Sequence, residues 1–217
     1  HIDPLVSQGP CWARARIQER FTDEDYYLQI DSHTQFLKGW DSYLIKYMKK
    51  IQEIDSEHHK KPIITCYPRA FEIVDYATNE FVLNDEDKST HVVTYREDSM
   101  FTKGNFCRQI GATTDIEITH GYLLAAGFLF STSEFVDEIP YDPKLYFYGE
   151  EISLVLRAIT RGFGVFHIPN VPLFHLYNDV SDIKRKLHWD LEEDEDREIK
   201  WYEREEKSIE RLNKIIN

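Results

Sequence analysis

Asp31 and His33 stand two residues apart where the apolar run Tyr26-Tyr27-Leu28-Gln29-Ile30 stops. In an extended segment, side chains at i and i+2 project to one side, so this carboxylate and imidazole can reach a single ion. A lone Asp-x-His also recurs by chance, and an aspartate at a strand end commonly caps the next turn. A third donor would make the pair specific. The candidate is His175, a polar ring inside the apolar stretch Val171-Pro172-Leu173-Phe174-His175-Leu176-Tyr177. The ordinary reading of such a residue is a core histidine bonded to backbone. Together with Asp31 and His33 it would complete a mixed oxygen and nitrogen set suited to a divalent first-row ion such as manganese, with positions open for phosphate oxygens.

Tyr148-Gly149-Glu150-Glu151 supplies a second group. Acidic residues in a first helical turn ordinarily compensate the helix dipole. Two adjacent carboxylates behind a glycine and the aromatic run Tyr146-Phe147-Tyr148 also suit a sugar pocket. There the aromatics would pack on the ring, while the carboxylates accept hydrogen bonds from hydroxyls or take a proton. Ala125-Ala126-Gly127-Phe128 permits close approach of backbone to a ligand, although tight core packing explains it equally well. Arg14 and Arg16 follow the Gly9-Pro10 turn and could neutralise a diphosphate, where the default is a solvated arginine on a helix surface.

These residues need elements to position them. Residues 11–21 read as a helix opened by Pro10, with Ala13 and Ile17 sharing a face. Residues 26–30 read as a buried strand. From Trp40, apolar residues recur at Tyr43, Leu44, Tyr47, Met48, Ile51 and Ile54, the spacing of an amphipathic helix. Further strands are expected at 63–67, 91–96, 163–168 and 171–177. A helix is expected over 151–161, with Ile152, Val155, Leu156 and Ile159 on one face and Gly162 beyond its end. Residues 84–90 and 98–109 read as irregular loops. The acidic run 192–196 leads into a charged helix with Ile199, Tyr202, Ile209, Leu212 and Ile216 on its apolar side, a solvated segment to which no chemistry is assigned. Strands alternating with helices predict an α/β fold, in which ligands gather beyond the carboxyl ends of the strands.

The bulk properties narrow the partners. The chain has 217 residues, 41% of them apolar, enough for one domain over 1–217 with an acidic helical extension at 180–217. It carries 26 basic against 39 acidic residues, a formal charge of -13, so nucleic acid and anionic membrane are poor partners. That field would also repel a diphosphate, so a local cation is required wherever one binds. The three cysteines, Cys11, Cys66 and Cys107, are widely spaced and suggest buried, reduced thiols, which favours the cytoplasm. No run of about 18 apolar residues predicts a membrane span.

As an ordered set, several segments resemble the Skp1 hydroxyproline N-acetylglucosaminyltransferase family. They are Gly9-Pro10-Cys11-Trp12-Ala13-Arg14, Leu28-Gln29-Ile30-Asp31-Ser32-His33 with Phe36 and Trp40-Asp41, Ala126-Gly127-Phe128, and Phe147-Tyr148-Gly149-Glu150-Glu151 with Arg157. The resemblance runs from about residue 9 to about residue 178. The polypeptide N-acetylgalactosaminyltransferases are similar at greater distance. The resemblance implies a GT-A fold, a UDP-sugar donor, manganese or a similar ion, a protein acceptor and transfer with retention of anomeric configuration. It implies Asp31, His33 and His175 as metal ligands and Glu150 and Glu151 at the donor sugar or acceptor. Ser32, Trp40, Gly127, Phe128, Tyr148 and Gly149 are expected along the substrate, with Arg14 and Arg16 near phosphate. Little precedes the Gly9-Pro10 turn, so the first nucleotide-binding strand and helix of that fold are expected to be missing from this segment. A catalytically silent sugar-nucleotide-binding domain of the same fold and a metal-dependent hydrolase are the competing expectations.

Overall fold

The computed structural model describes residues 2–54, 60–97, 107–177, 189–190 and 194–216. In chain order the elements are α1 (Pro10–Gln18), β1 (Tyr26–Ile30), β2 (Thr34–Phe36), α2 (Trp40–Gln52), β3 (Lys61–Thr65), β4 (Arg69–Asp75), β5 (Glu80–Leu83) and β6 (Thr90–Tyr95). There follow β7 (Gln109–Thr114), β8 (Thr119–Gly121), β9 (Phe128–Thr132), α3 (Glu134–Glu138), α4 (Glu150–Ile159), β10 (Phe163–His167), β11 (Leu173–His175) and α5 (Trp201–Ile216). The mixed α/β class expected from the alternation of strands and helices is present.

A five-stranded sheet in the order β1-β9-β3-β10-β8 forms the middle layer. Only β3 and β10 run parallel within it, and the other three pairings are antiparallel. The period of two along each strand sorts its side chains onto two cores. Ile63, Leu129 and Val165 face one side and pack with Cys11, Phe135 and Leu154. Their neighbours Ile64, Phe128, Phe130 and Phe166 face the other side, against Leu44, Met48 and Ile51 of α2. One sheet therefore has α2 beneath it and α1, α3, α4 and α5 above it, a three-layer arrangement that buries apolar residues from both faces.

A second sheet, in the order β2-β11-β4-β5, begins where the first ends. Here β11 is antiparallel to β2 and parallel to β4. The hairpin of β6 and β7 forms a separate two-stranded sheet. The chain passes from the first sheet to the second through Asp31, Ser32 and His33, between β1 and β2. These residues form a bend rather than the extended segment expected from the sequence.

Other expectations shift for identifiable reasons. α1 turns Cys11, Ala15 and Gln18 inward and leaves Ile17 exposed, so the face expected at Ala13 and Ile17 is rotated. In α4 the buried residues are Glu150, Ser153, Leu154, Val155 and Ala158, so Val155 is inward as expected, whereas Leu156 and Ile159 face outward. Hydropathy could not assign the inward stripe because it begins with a carboxylate. β2, β4, β5, β8 and β9 were not expected, and β7 starts at Gln109, inside the expected loop. Residues 98–106 of that loop, 180–188 of the extension and 192–193 of the acidic run lie outside the described residues. No described helix is long and apolar enough to cross a membrane.

Phe128 is 0% exposed and its ring packs against α2, so its side chain belongs to the core and cannot line a ligand as expected. Replacing Phe128 by Ala should lower the free energy of unfolding by about 3–5 kcal/mol in urea titrations. An unchanged midpoint would show that the ring lies elsewhere.

Candidate active site

The site is built at the seam between the two sheets. The Asp31 amide donates to the Gly127 carbonyl at 3.1 Å, extending the β1–β9 register by one residue and setting Asp31 opposite Gly127. The Thr34 hydroxyl donates to the Asp31 carbonyl at 2.8 Å and closes the bend. β11 then pairs His175 with Thr34, and the Leu176 amide donates to the His33 carbonyl at 3.1 Å. Backbone pairing thus delivers three side chains, distant in sequence, to one corner.

Their donor atoms converge. Asp31 Oδ2 lies 3.2 Å from His175 Nε2 and 4.0 Å from His33 Nε2, and the two imidazole centroids are 4.4 Å apart. All three donor atoms lie within 4.8 Å of one another. A first-row ion with bonds of about 2.1 Å places adjacent donors roughly 3 Å apart and opposite donors about 4 Å apart, so this spacing needs only a small closure around a cation. One oxygen and two nitrogens also match a borderline divalent ion. The residues fit the expected metal.

The other oxygen of Asp31 is held separately. Arg14 donates through Nη2 to Asp31 Oδ1 at 2.8 Å, and through Nη1 to Glu150 Oε1. The Tyr141 hydroxyl donates to the same Glu150 oxygen at 2.7 Å. Glu150 is 4% exposed, so its charge is stable only because Arg14 and Tyr141 satisfy it. Burial pushes the Asp31 carboxyl up, but the hydrogen bond with His175 and the charges of Arg14, His175 and His33 prevail and hold it below the usual carboxylate value. Arg14 is therefore already committed to two carboxylates, where the sequence had suggested charge available for a diphosphate.

Glu151 has a different environment. Its Oε1 accepts from the Ala126 amide at 2.8 Å, and its Oε2 accepts from Gln109 on β7. Burial outweighs these bonds and raises its carboxyl from 4.5 to about 7, with Glu150 adding to the rise. Glu150 is thus held in an ion pair while Glu151 is placed to gain or lose a proton near neutrality.

A cleft of about 510 Å³ connects these groups. Asp31, Ala126, Gly127, Glu150 and Glu151 line it, Phe147, Tyr148 and Gly149 belong to the segment leading into α4, and Tyr67, Arg96 and Arg108 also border it. Arg96 and Arg108 escaped the sequence reading because neither lies in a motif. They come together through the β6–β7 hairpin, where the Arg96 amide donates to the Arg108 carbonyl at 2.8 Å. Cys107 borders the same cleft, whereas Cys11 and Cys66 are buried in the core.

The remaining expected residues are placed as follows. Gly127 lies against the Asp31 oxygen that faces the two histidines: a Cβ there would sit 2.9 Å from Asp31 Oδ2. Gly149 adopts φ 87°, a left-handed conformation that favours glycine, at the start of α4. Ser32 is exposed at the bend. Trp40 packs on Phe36, with ring centroids 4.9 Å apart, and against the α2 side of the core. Arg16 pairs with Glu19 at 3.0 Å on the exposed side of α1, outside the lining of the cleft.

The profile of the family described as glycosyltransferase (GlcNAc) matches residues 1–217. The chain belongs to that family. No curated protein sequence matches it.

Two outcomes follow from the buried charges. Arg14→Ala strands Glu150 in a nearly closed site and should cost about 3–5 kcal/mol in chemical denaturation. In a Glu150→Gln background the cost should shrink, a coupling that a double-mutant cycle measures. For Glu151, the folded chain keeps the proton up to about pH 7, while the unfolded chain releases it near 4.5. Between those values the folded state binds more protons, so this group lowers stability as pH rises. The total is ~3 kcal/mol. Glu151→Gln should therefore gain stability relative to the parent from pH 4.5 to 7.5, and a parallel pair of stability profiles would contradict the assignment.

Proposed function

We propose that this member of the glycosyltransferase (GlcNAc) family moves N-acetylglucosamine from UDP-GlcNAc to a protein hydroxyl, with a divalent cation, Mn2+ in the first instance, held by Asp31, His33 and His175. The observation that carries this reading is one carboxylate, Asp31, serving both the three-donor cluster through Oδ2 and the Arg14–Glu150 pair through Oδ1, at the edge of a cleft lined by aromatic and acidic residues. When bound, the cation would screen the charge that develops on a departing diphosphate.

The chain's own residues divide the remaining work. Arg14 orients Asp31 and balances Glu150. Arg96 and Arg108 bring positive charge to the cleft of an otherwise acidic protein, which suits an anionic diphosphate. Phe147 and Tyr148 offer aromatic faces for packing on a sugar ring. Gly127 leaves room for the substrate beside Asp31 and keeps its carboxylate in place. Glu151, protonated until near neutrality, donates or accepts a hydrogen bond at a sugar or acceptor hydroxyl. Glu150, engaged by Arg14 and Tyr141, acts as the fixed negative charge rather than the mobile one.

The resemblance to the Skp1 hydroxyproline N-acetylglucosaminyltransferases supports hydroxyproline as the acceptor and retention of configuration, while the three widely spaced cysteines favour a cytoplasmic setting. The same resemblance selects N-acetylglucosamine, in agreement with the family's description.

A thermal-shift titration tests the site directly. UDP with Mn2+ at a hundred times its dissociation constant should stabilise the folded chain by about 2.7 kcal/mol. Neither component alone should produce that shift, and it should disappear in His33→Ala. Gly127→Ala, which crowds Asp31 Oδ2, should retain the fold and weaken the shift. Transfer of labelled sugar from UDP-GlcNAc to an acceptor peptide then separates a transferase from a hydrolase, which would release free sugar without any acceptor.

A further inference from the structure

α5 was expected to be a solvated, charged helix, yet it packs directly behind the segment that carries the cleft's aromatic wall. Its buried line keeps only Leu212 of the apolar face read from the sequence and adds Ser208. Ser208 and Leu212 are both 0% exposed, while Tyr202 and Ile216 point outward. A serine at the centre of a buried stripe needs partners, and it finds two in the segment before α4. Its hydroxyl accepts from the Tyr146 amide at 3.0 Å and donates to the Tyr148 carbonyl at 3.3 Å. One turn earlier, the Glu205 carboxylate accepts from the Tyr148 amide, 3.2 Å from each oxygen. One turn later, Leu212 fills the space that any side chain at Gly149 would need.

Three consecutive turns of α5 thus hold the backbone of Tyr146, Tyr148 and Gly149, immediately before Glu150 and Glu151. Irregular backbone of this kind has no ladder or helix to satisfy its polar groups, so its conformation depends on whichever side chains bond to it. Asp142, earlier in the same connection, also receives Arg211 of α5 at 2.5 Å. The N-terminus of α5 is itself fixed, because the Trp201 amide donates to buried Asp194 at 3.1 Å.

We propose that α5 is part of the substrate site: Ser208 and Glu205 are positioning residues that set the Phe147–Tyr148–Gly149 wall of the cleft, and through it the entry of α4 that carries Glu150 and Glu151. They touch no substrate. They act by fixing peptide groups whose displacement would turn the two aromatic rings and the glutamates away from a bound sugar nucleotide. The effect on the reaction rests on the transferase reading above, whereas the effect on the wall itself does not.

The test compares Ser208→Ala, Glu205→Ala and Glu205→Gln in the full chain. Glutamine keeps an oxygen acceptor for the Tyr148 amide, so Glu205→Gln should behave as the parent. The two alanine variants should raise the KM for UDP-GlcNAc about tenfold, in line with the sensitivity of such sites to small misplacements. Their Mn2+ affinity without nucleotide should be unchanged, since Asp31, His33 and His175 belong to another corner. By hydrogen exchange, the Tyr146 amide should lose protection in Ser208→Ala and the Tyr148 amide in Glu205→Ala. Unchanged exchange in these variants would overturn the proposal whatever the activity. So would lowered melting temperatures with KM and kcat at parental values below the transition. If the parent protein transfers no sugar while the exchange pattern holds, the transferase reading fails and the clamp on the wall stands.

Discussion

The two oxygens of Asp31 face different partners, and the rest of the site depends on that division. Oδ1 is held by Arg14, whose other nitrogen reaches Glu150, and Oδ2 is left towards His33 and His175. A carboxylate free to rotate would present either oxygen to either partner. With Arg14 in place, one is assigned to the acidic helix start and the other to the three-donor corner. This single guanidinium couples α1, the end of β1 and the start of α4, three elements that share no backbone hydrogen bond at that point. Glu150 in turn can occupy the buried stripe of α4 only because Arg14 and Tyr141 reach it there.

The chain's charge makes such local arrangements necessary. A net charge of -13 opposes the approach of any diphosphate, and long-range steering cannot help. On the proposed function, attraction would be supplied at contact distance, by a cation at the sheet seam and by Arg96 and Arg108 bordering the cleft. The adjacent glutamates show the same economy of position. Glu150 is paired with Arg14 and Tyr141, while Glu151, offered amide donors in a buried setting, is raised to about 7. Neighbours in sequence acquire different chemistry because a helix start turns successive side chains towards different surroundings.

The wall of the cleft illustrates how irregular backbone is made definite. Residues 146–149 have no strand partner, so side chains from α5 satisfy their peptide groups. A polar residue on the buried stripe of a helix lowers the contrast between its faces. That is why α5 looked, from hydropathy, like a solvated extension, although Leu212 of its expected apolar side is buried. The same reason hid the inward stripe of α4, which starts with Glu150.

The sequence by itself determined the mixed α/β class, strand β1, the start of α2 and the inward pattern at Leu44, Tyr47, Met48 and Ile51, because these depend on local periodicity. It also singled out Asp31, His33, His175, Glu150 and Glu151 through their types and the order of their motifs. Tertiary structure alone decided that Asp31 and His33 meet through a bend, that Phe128 belongs to the core, that Arg14 is committed to two carboxylates, and that Arg96, Arg108, Glu205 and Ser208 belong around the cleft. Each of these depends on which oxygen or peptide group lies within about 3 Å of a side chain, a distance set by the pairing of strands and the docking of helices far apart in sequence.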